Sequence, residues 1–230
     1  MPAGPLGDSI RLGHAIFMNP QKFLPHNVTA DMSCTACHVG GGTVAHAGSL
    51  IGAYARFPQW NARSHRVIAL QDRLAECFLY SMNGTPPAYS SKEMIALVSY
   101  IAYLSRDVPV KSGESKSDDL AVTLPSGSPN LAHGQALYMQ KCSACHQASG
   151  SGVHGVFPPL WGPKAFNGGA GMGHIERMTG FVMHNMPQNA PGSLSLQEAY
   201  DVSGWVLSRP RPHFKGSRTI EQPAEPARYF

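Results

Sequence analysis

The five-residue pattern Cys-x-x-Cys-His occurs twice in this chain, at residues 34–38 and at residues 142–146. In such a motif the two thiols form thioether bonds with the vinyl groups of a haem, and the histidine binds the iron from one side. A pair of redox-active or zinc-binding Cys-x-x-Cys sites is the alternative, but it does not explain why a histidine follows in both copies. The motifs therefore predict two covalently bound haem c groups, held by Cys34, Cys37, His38, Cys142, Cys145 and His146.

The composition is compatible with two small haem domains. The chain has 230 residues, which is long enough for two domains of about 100 residues each. Only 14% of the residues are charged, while 24 glycines and 19 prolines indicate much irregular backbone, as expected where haems supply much of the core. The formal charge of +4 weakly favours an anionic substrate. No dense run of Lys and Arg occurs, so nucleic acid is not an expected partner.

The sequence also bears on location. No stretch approaches the roughly eighteen consecutive apolar residues that a membrane span needs, so none is expected. Haem is attached to this motif outside the cytoplasm, which favours a periplasmic protein. Residues 1–5 show no basic segment followed by an apolar one. We therefore expect the numbering to start on a mature or recombinant chain from which a signal peptide has been removed.

Each motif is expected to lie in its own helical domain, because the two halves of the chain can be laid on one another. The segment Gly13–Phe17 ahead of the first motif matches Gly134–Tyr138 ahead of the second. Between the halves lies a stretch rich in Ser, Gly, Asp, Lys and Pro, which is typical of a linker. The predicted fold is all-α, with two tandem class I cytochrome c-like domains. The expected boundaries are 9–110 for the first domain, 111–130 for the linker, 131–208 for the second domain and 209–230 for an extended tail.

Apolar residues at helical spacing predict where the main helices lie. The residues up to Asp8 are expected to be loose, with Ser9 capping a first helix that ends near Asn19. The segment from Gly40 to Ser64 is expected to be a loop. Further helices are predicted at 68–82, from Ser90 or Ser91 to Leu104, and at 131–139, 175–185 and 196–207.

The second ligand of each iron decides whether a haem transfers electrons or takes part in chemistry. Met186 lies 40 residues after His146, and the proline that follows it favours an extended loop against the haem. Met186 is therefore the first candidate in the second domain. The alternatives are core methionines or a nearby histidine: Met172, Met178, Met183 and His184.

The first domain offers a cysteine at the corresponding place. Cys77 lies 39 residues after His38 and is the only cysteine outside the two motifs. This spacing favours a thiolate ligand, with a buried free cysteine or a methionine ligand, Met82, as the alternatives. Because a thiolate stabilises Fe(III), such a haem is expected to have a lower potential than a methionine-ligated one. Electrons would then pass from the first haem to the second.

Five segments distributed over both halves carry a more specific pattern. They are Pro58–Ser64, Arg73–Cys77, Ser81–Gly84, Phe157–Gly162 and Asn185–Pro187. Together they resemble the dihaem thiosulfate dehydrogenases over roughly residues 10–207, with Arg73–Cys77 as the most specific part. The similarity extends more weakly to the haem subunit of the Sox system. The resemblance to the thiosulfate dehydrogenases implies that two thiosulfate ions are joined into tetrathionate at a His/Cys-ligated haem. Some members of that family run the reaction in reverse.

The resemblance also implies roles for individual residues. Cys77 matches the distal iron ligand and Arg63 the arginine that binds the substrate anion, with Gln59 and Ser64 as polar neighbours. Some members have a lysine near the Phe-Pro-Pro segment that can bind the second iron. Here Val156 precedes that segment and Lys164 follows it at a distance, so the pattern for ligand switching by lysine is not matched.

The sequence thus predicts an enzyme that oxidises thiosulfate and delivers electrons to a small cytochrome or another soluble acceptor. Two other functions remain open at this stage. One is a non-catalytic dihaem electron carrier, and the other is a Sox-like subunit that transfers sulfur to a partner protein.

Overall fold

The computed structural model describes residues 1–110 and 120–214. The described helices of seven or more residues are α1 (Gly4–Met18), α2 (Leu70–Glu76), α3 (Lys92–Leu104), α4 (Leu131–Lys141), α5 (Ile175–Asn185) and α6 (Leu196–Leu207). Shorter helical turns lie at Pro20–Phe23, Cys34–Ala36, Val39–Gly42, Tyr54–Arg56, Ser143–His146 and Gly171–Gly173. Residues 111–119 of the predicted linker and the predicted tail beyond 214 lie outside the described residues.

Four helices agree closely with the sequence-based expectations. They are α3, α4, α5 and α6, and the side chains of Ser91, Asn130 and Ser195 cap three of them by accepting a backbone N–H. The expectation of a loose start is wrong, because α1 begins at Gly4 and includes Ser9. Pro5 lies in the first turn, where its missing N–H would have no helical partner in any case.

The middle of the first domain differs from the sequence-based expectation in two places. The helix predicted at 68–82 is divided into α2 and a π-helix, Cys77–Ser81. The loop expected before it contains a short antiparallel hairpin made of β1 (Gln59–Asn61) and β2 (Arg66–Ile68). In this hairpin Gln59 pairs with Ile68 and Asn61 with Arg66. These two strands are the only sheet within the described residues.

A glycine allows the first and last helices of each domain to cross closely. In the first domain α1 packs on α3, and in the second α4 packs on α6. A methyl group on Gly13 would lie 1.9 Å from the carbonyl oxygen of Ala96, and one on Gly134 would lie 2.1 Å from that of Asp201. Both distances are below van der Waals contact, so only glycine fits. The segments that match between the two halves of the sequence therefore pack in the same way, each with its glycine at a helix crossing.

Polar contacts join the two halves of the molecule. Asp31 pairs with His154 at 2.7 Å, and its N–H donates to the carbonyl of Lys164 at 2.8 Å. Asn185 donates to the carbonyl of His46 at 2.7 Å. Residues 120–130 and 209–214 both lie against the second domain, as shown by hydrogen bonds from Val122 N–H to Glu176 O, from Gly162 N–H to Pro210 O and from Gly168 N–H to Pro212 O.

Within the described residues, no helix is both long and apolar enough to span a membrane.

The helix crossings give a test of the repeated fold. We expect Gly13→Ala and Gly134→Ala each to lower the free energy of unfolding by roughly 1–3 kcal/mol, because the added methyl group forces the helices apart. Thermal unfolding of the holoprotein measures the loss. Gln135→Ala is the matched control, since Gln135 is exposed on the same helix as Gly134. Unfolding temperatures of the glycine variants equal to that of the control would contradict the close crossing.

Candidate haem sites and active site

Both motif histidines are oriented by a backbone carbonyl. His38 Nδ1 contacts the carbonyl oxygen of Gly48, and His146 Nδ1 lies 2.9 Å from that of Pro158. A carbonyl oxygen only accepts hydrogen bonds, so each Nδ1 carries the proton and each Nε2 is the ring nitrogen suited to bind a metal. This is the arrangement that metal-binding histidines commonly adopt. Burial lowers the pKa of His146, which favours the neutral form needed for binding iron.

A large cavity next to the second motif fits a haem. Its volume is about 770 Å³, which is within the range of cofactor pockets. Cys142, Cys145 and His146 line it, and so does Met186. Burial and the neighbouring Cys145 raise the pKa of the Cys142 thiol to about 11. The attachment residues and a candidate second ligand therefore share one largely apolar space.

The structure divides the candidate ligands of the second iron into two groups. Met172, Met178 and Met186 line the cavity. His184 instead stacks on His46, with ring centroids 4.4 Å apart, and neither it nor Met183 is among the lining residues. Lys164 directs its amine to the carbonyl of Thr29 at 3.5 Å. Lys164 is not among the residues that line the cavity.

The same cavity extends to the first motif. Thr35, Ala36 and Cys37 line it together with Val39 and Gly40. The two attachment sites are therefore neighbours across one cavity, rather than lying at opposite ends of the molecule. This proximity suits the passage of electrons between two haems.

Cys77 lies close to the thiols of the first motif. Burial is the main cause that raises the pKa of Cys37 to about 12, and the charge of Cys77 raises it further. Cys77 also contributes to the raised pKa of Cys34, again after burial. Such an effect requires proximity, so the fold brings Cys77 near Cys34 and Cys37, although it lies 40 or more residues from them in sequence. Cys77 is the first residue of the π-helix, a conformation that is rare and is frequent at functional sites.

Asn61 connects the hairpin to the helix that precedes Cys77. Its side-chain oxygen accepts the N–H groups of Arg63 at 2.8 Å and Ser64 at 3.1 Å, and its side-chain nitrogen donates to Glu76 at 2.9 Å. Glu76 is buried and also pairs with Arg73 at 2.7 Å. The turn that holds Arg63 and Ser64 is thus fixed relative to Cys77. Sequence reasoning assigned no role to Asn61 or Glu76, although both lie within the segments that carry the family resemblance.

Arg63 lies over the ring of Tyr80, with its guanidinium carbon 4.2 Å from the ring centroid. Tyr80 belongs to the π-helix and is only 3% exposed. Its hydroxyl and the hydroxyl of Ser64 are buried and have no hydrogen-bond partner among the described residues. An unpaired buried donor is costly, so both hydroxyls fit a bound oxyanion, either a substrate or a haem propionate. Gln59 lies further along the hairpin, paired with Ile68.

Asp72 anchors the hairpin to α2. Its carboxylate accepts hydrogen bonds from Arg66 at 2.8 Å, from the N–H of Ala69 at 2.8 Å, and from the hydroxyl of Tyr89. Burial alone would raise the pKa of Asp72, but these hydrogen bonds outweigh burial and hold the pKa below its usual value. The ionised carboxylate therefore stabilises the frame on which Arg63 and Cys77 are mounted.

Comparison with known protein families agrees with this geometry. Residues 21–110 match the model "SoxA/TsdA, cytochrome c domain". Residues 129–206 match the model "Cytochrome C oxidase, cbb3-type, subunit III". Both halves are therefore cytochrome c domains, and the molecule carries two covalently bound haem c groups, as the motifs predict.

Similar whole proteins identify the family. A thiosulfate dehydrogenase of Allochromatium vinosum is 41% identical over 224 residues, which cover 94% of this chain and 83% of that protein. The chain belongs to the thiosulfate dehydrogenase family. A second thiosulfate dehydrogenase, from Thiomonas intermedia, is 37% identical over 92% of this chain and 69% of its own length.

A solved structure of this thiosulfate dehydrogenase family has the same fold. The thiosulfate dehydrogenase TsdBA from Marichromatium purpuratum superposes with a TM-score of 0.85 at 33% identity. The match covers 94% of this chain and 50% of that chain, so this chain spans half the length of the solved relative. The expected all-α fold with two cytochrome c domains is confirmed.

The role of Asp72 gives a pH-dependent prediction. Its pKa is lowered on folding, so its stabilisation is present above the usual value of 3.8 and is lost as the pH falls through the lower folded-state value. We expect Asp72→Asn to destabilise the protein by roughly 1–3 kcal/mol near neutral pH, because the hydrogen bonds from partly exposed Arg66 and from the Ala69 N–H lose their ionised, buried acceptor. The difference should shrink at about pH 3, as measured by urea unfolding at both pH values.

The control for this test is Asp8→Asn. Asp8 pairs with Arg11 on an exposed part of α1, where an ion pair is expected to contribute less than about 1 kcal/mol. A loss for Asp72→Asn that is the same at both pH values would contradict stabilisation by the ionised carboxylate.

Proposed function

We propose that this chain oxidises thiosulfate to tetrathionate at the first motif. Two thiosulfate ions form one new sulfur–sulfur bond, and two electrons leave, so that four negative charges become two on the product. Family membership supports the reaction class. The observation that carries the assignment to this site is the position of Arg63, which lies beside two buried unpaired hydroxyls on the frame that holds Cys77.

Four residues are proposed as iron ligands. His38 and Cys77 would hold the first haem from its two faces, and His146 and Met186 the second. When bound, the haems supply reversible acceptance of single electrons, with the lower potential expected where a thiolate is the ligand. The orientation of both histidines by backbone carbonyls supports this assignment. The proximity of Cys77 to Cys34 and Cys37 supports it as well.

Arg63 is proposed to bind and orient the substrate. Two thiosulfate dianions repel each other, so joining them requires a positive charge nearby. A guanidinium supplies that charge and also offers paired, planar donors that suit a sulfonate group. Stacking on Tyr80 restricts Arg63 to one direction. The hydroxyls of Ser64 and Tyr80 are proposed as further donors to the same oxyanion, with Gln59 as a more remote polar neighbour.

The terminal sulfur of thiosulfate is the reacting atom, and Cys77 is proposed to act next to it. In one route Cys77 would only give way to the substrate. In the other, its thiolate and one thiosulfate would form a sulfur–sulfur bond as two electrons pass to the haems, and the second thiosulfate would then displace the Cys77 thiolate to give tetrathionate. The reaction is proposed to be reversible. Because haem is attached to Cys-x-x-Cys-His outside the cytoplasm, the protein is proposed to be periplasmic and to pass its electrons to a small cytochrome there.

The first test is a turnover assay on the holoprotein. With thiosulfate and an artificial electron acceptor we expect many turnovers per haem and tetrathionate as the product. With tetrathionate and a reduced dye, the reverse reaction should be measurable. Cys77→Met should retain two haems per chain but lose turnover in both directions, because a thioether is a poor substitute for a thiolate. Activity retained in this variant would remove Cys77 from the mechanism.

A second test concerns the anion site. We expect Arg63→Ala to lower kcat/KM for thiosulfate on the order of a hundredfold, and Arg63→Lys to lower it less. Arg106→Ala is a matched control, because Arg106 stacks on Tyr103 at 4.5 Å in the same manner but on an exposed surface. If Arg63→Ala and Arg106→Ala have the same kcat/KM for thiosulfate, Arg63 does not bind the substrate. That result would favour a simple electron carrier without a substrate site.

A further inference from the structure

The π-helix that begins with Cys77 does not supply hydrogen-bond donors for all of its own backbone carbonyls. In any helix the last carbonyls lack a partner within the helix. Here the carbonyl of Cys77 accepts the N–H of Met82, and that of Phe78 accepts the N–H of Gly84, both at 2.9 Å. The next two carbonyls, of Leu79 and Tyr80, receive their hydrogen bonds from the other domain.

Both of these hydrogen bonds come from Asn167. Its side-chain nitrogen donates to Leu79 O at 2.8 Å, and its backbone N–H donates to Tyr80 O at 3.1 Å. The same side chain donates to Asn83 at 3.1 Å and accepts the N–H of Gly169 at 2.9 Å. Asn167 is only 1% exposed. One residue of the second domain thus completes the end of the π-helix in the first domain.

The surroundings of Tyr80 strengthen this contact. The ring of Phe214, at the end of the described chain, lies 4.7 Å from the ring of Tyr80 in an edge-on arrangement. A methyl group on Gly169 would lie 2.5 Å from the same ring. Residues of the second half of the chain therefore pack against Tyr80 as well as donating hydrogen bonds to its helix.

We propose that Asn167 is a positioning residue for Cys77, and through it for the chemistry of the first haem. A π-helix closes its hydrogen bonds over five residues instead of four, and it is less stable than an α-helix. In Asn167→Ala the buried carbonyl of Leu79 loses its side-chain donor, while the backbone N–H at 167 can still donate to Tyr80 O. The end of the π-helix then gains by rearranging toward α-helical bonding. That change rotates Cys77 about the helix axis. The inference rests on the proposed ligation by Cys77, and it makes the second domain part of the first active site.

The test uses the ferric holoprotein with Asn167→Ala and the milder Asn167→Ser, whose hydroxyl can still donate one hydrogen bond. We expect the electron paramagnetic resonance signal of the thiolate-ligated haem to shift or split, more in the alanine variant than in the serine variant. The methionine-to-iron absorption band of the second haem should remain. We also expect kcat/KM for thiosulfate to fall about tenfold in the alanine variant, which corresponds to the loss of one buried hydrogen bond.

The matched control is His154→Ala. His154 also joins the two domains, through Asp31, but its side chain is 84% exposed and does not touch the π-helix. This variant should retain the signal of the unmodified protein. An unchanged signal in both Asn167 variants, or an equal change in the control, would overturn the proposal. If the alanine variant does not take up two haems, the serine variant decides the question.

Cys77→Met separates this inference from the ligation on which it depends. If that substitution removes the thiolate signal while the Asn167 variants do not alter it, iron ligation by Cys77 is supported and the positioning role of Asn167 is wrong. If Cys77→Met leaves the signal unchanged, the ligation is wrong and the positioning role falls with it.

Discussion

Covalent attachment at two short motifs is the constraint on which the rest of this structure depends. Each motif fixes one edge and one face of a flat cofactor, so the remaining chain has to cover the other face. The hydrogen bonds from His38 and His146 to backbone carbonyls set the ring orientation on the attached side. A pair of helices crossing at a glycine then encloses each site. Because the chain has two attachment motifs, the same arrangement of motif, histidine and crossing helices occurs in both domains.

The two domains differ in the element that carries the candidate second ligand. In the second domain a loop carrying Met186 lines a broad cavity. In the first domain a π-helix and a hairpin replace that loop, and they are braced by the buried carboxylates of Asp72 and Glu76. Buried carboxylates are costly and persist only where several donors satisfy them. Two of the three buried carboxylates within the described residues, Asp72 and Glu76, lie on this frame, and the third, Asp201, lies in the second domain.

The sequence predicted the parts of the fold that depend on local pattern. The cysteine motifs, the amphipathic helices α3 to α6 and the glycine that recurs in α1 and α4 were all visible in it. The π-helix was not, because an extra residue per turn leaves the apolar pattern of 68–82 looking helical throughout. The hairpin was also missed, since strands of three residues are too short to show alternation. Asn167 could not have been found, because its partners lie 84 and 88 residues away.

The shared boundary between the domains has a consequence for how such proteins can evolve. Cytochrome c domains are often regarded as interchangeable modules, joined by linkers and altered independently. In this molecule one cavity is lined by both motifs, and a side chain of one domain completes a helix of the other. Replacement of the second domain by an unrelated cytochrome would therefore change the first domain as well. Inheritance of the two halves as a single unit is the expected result.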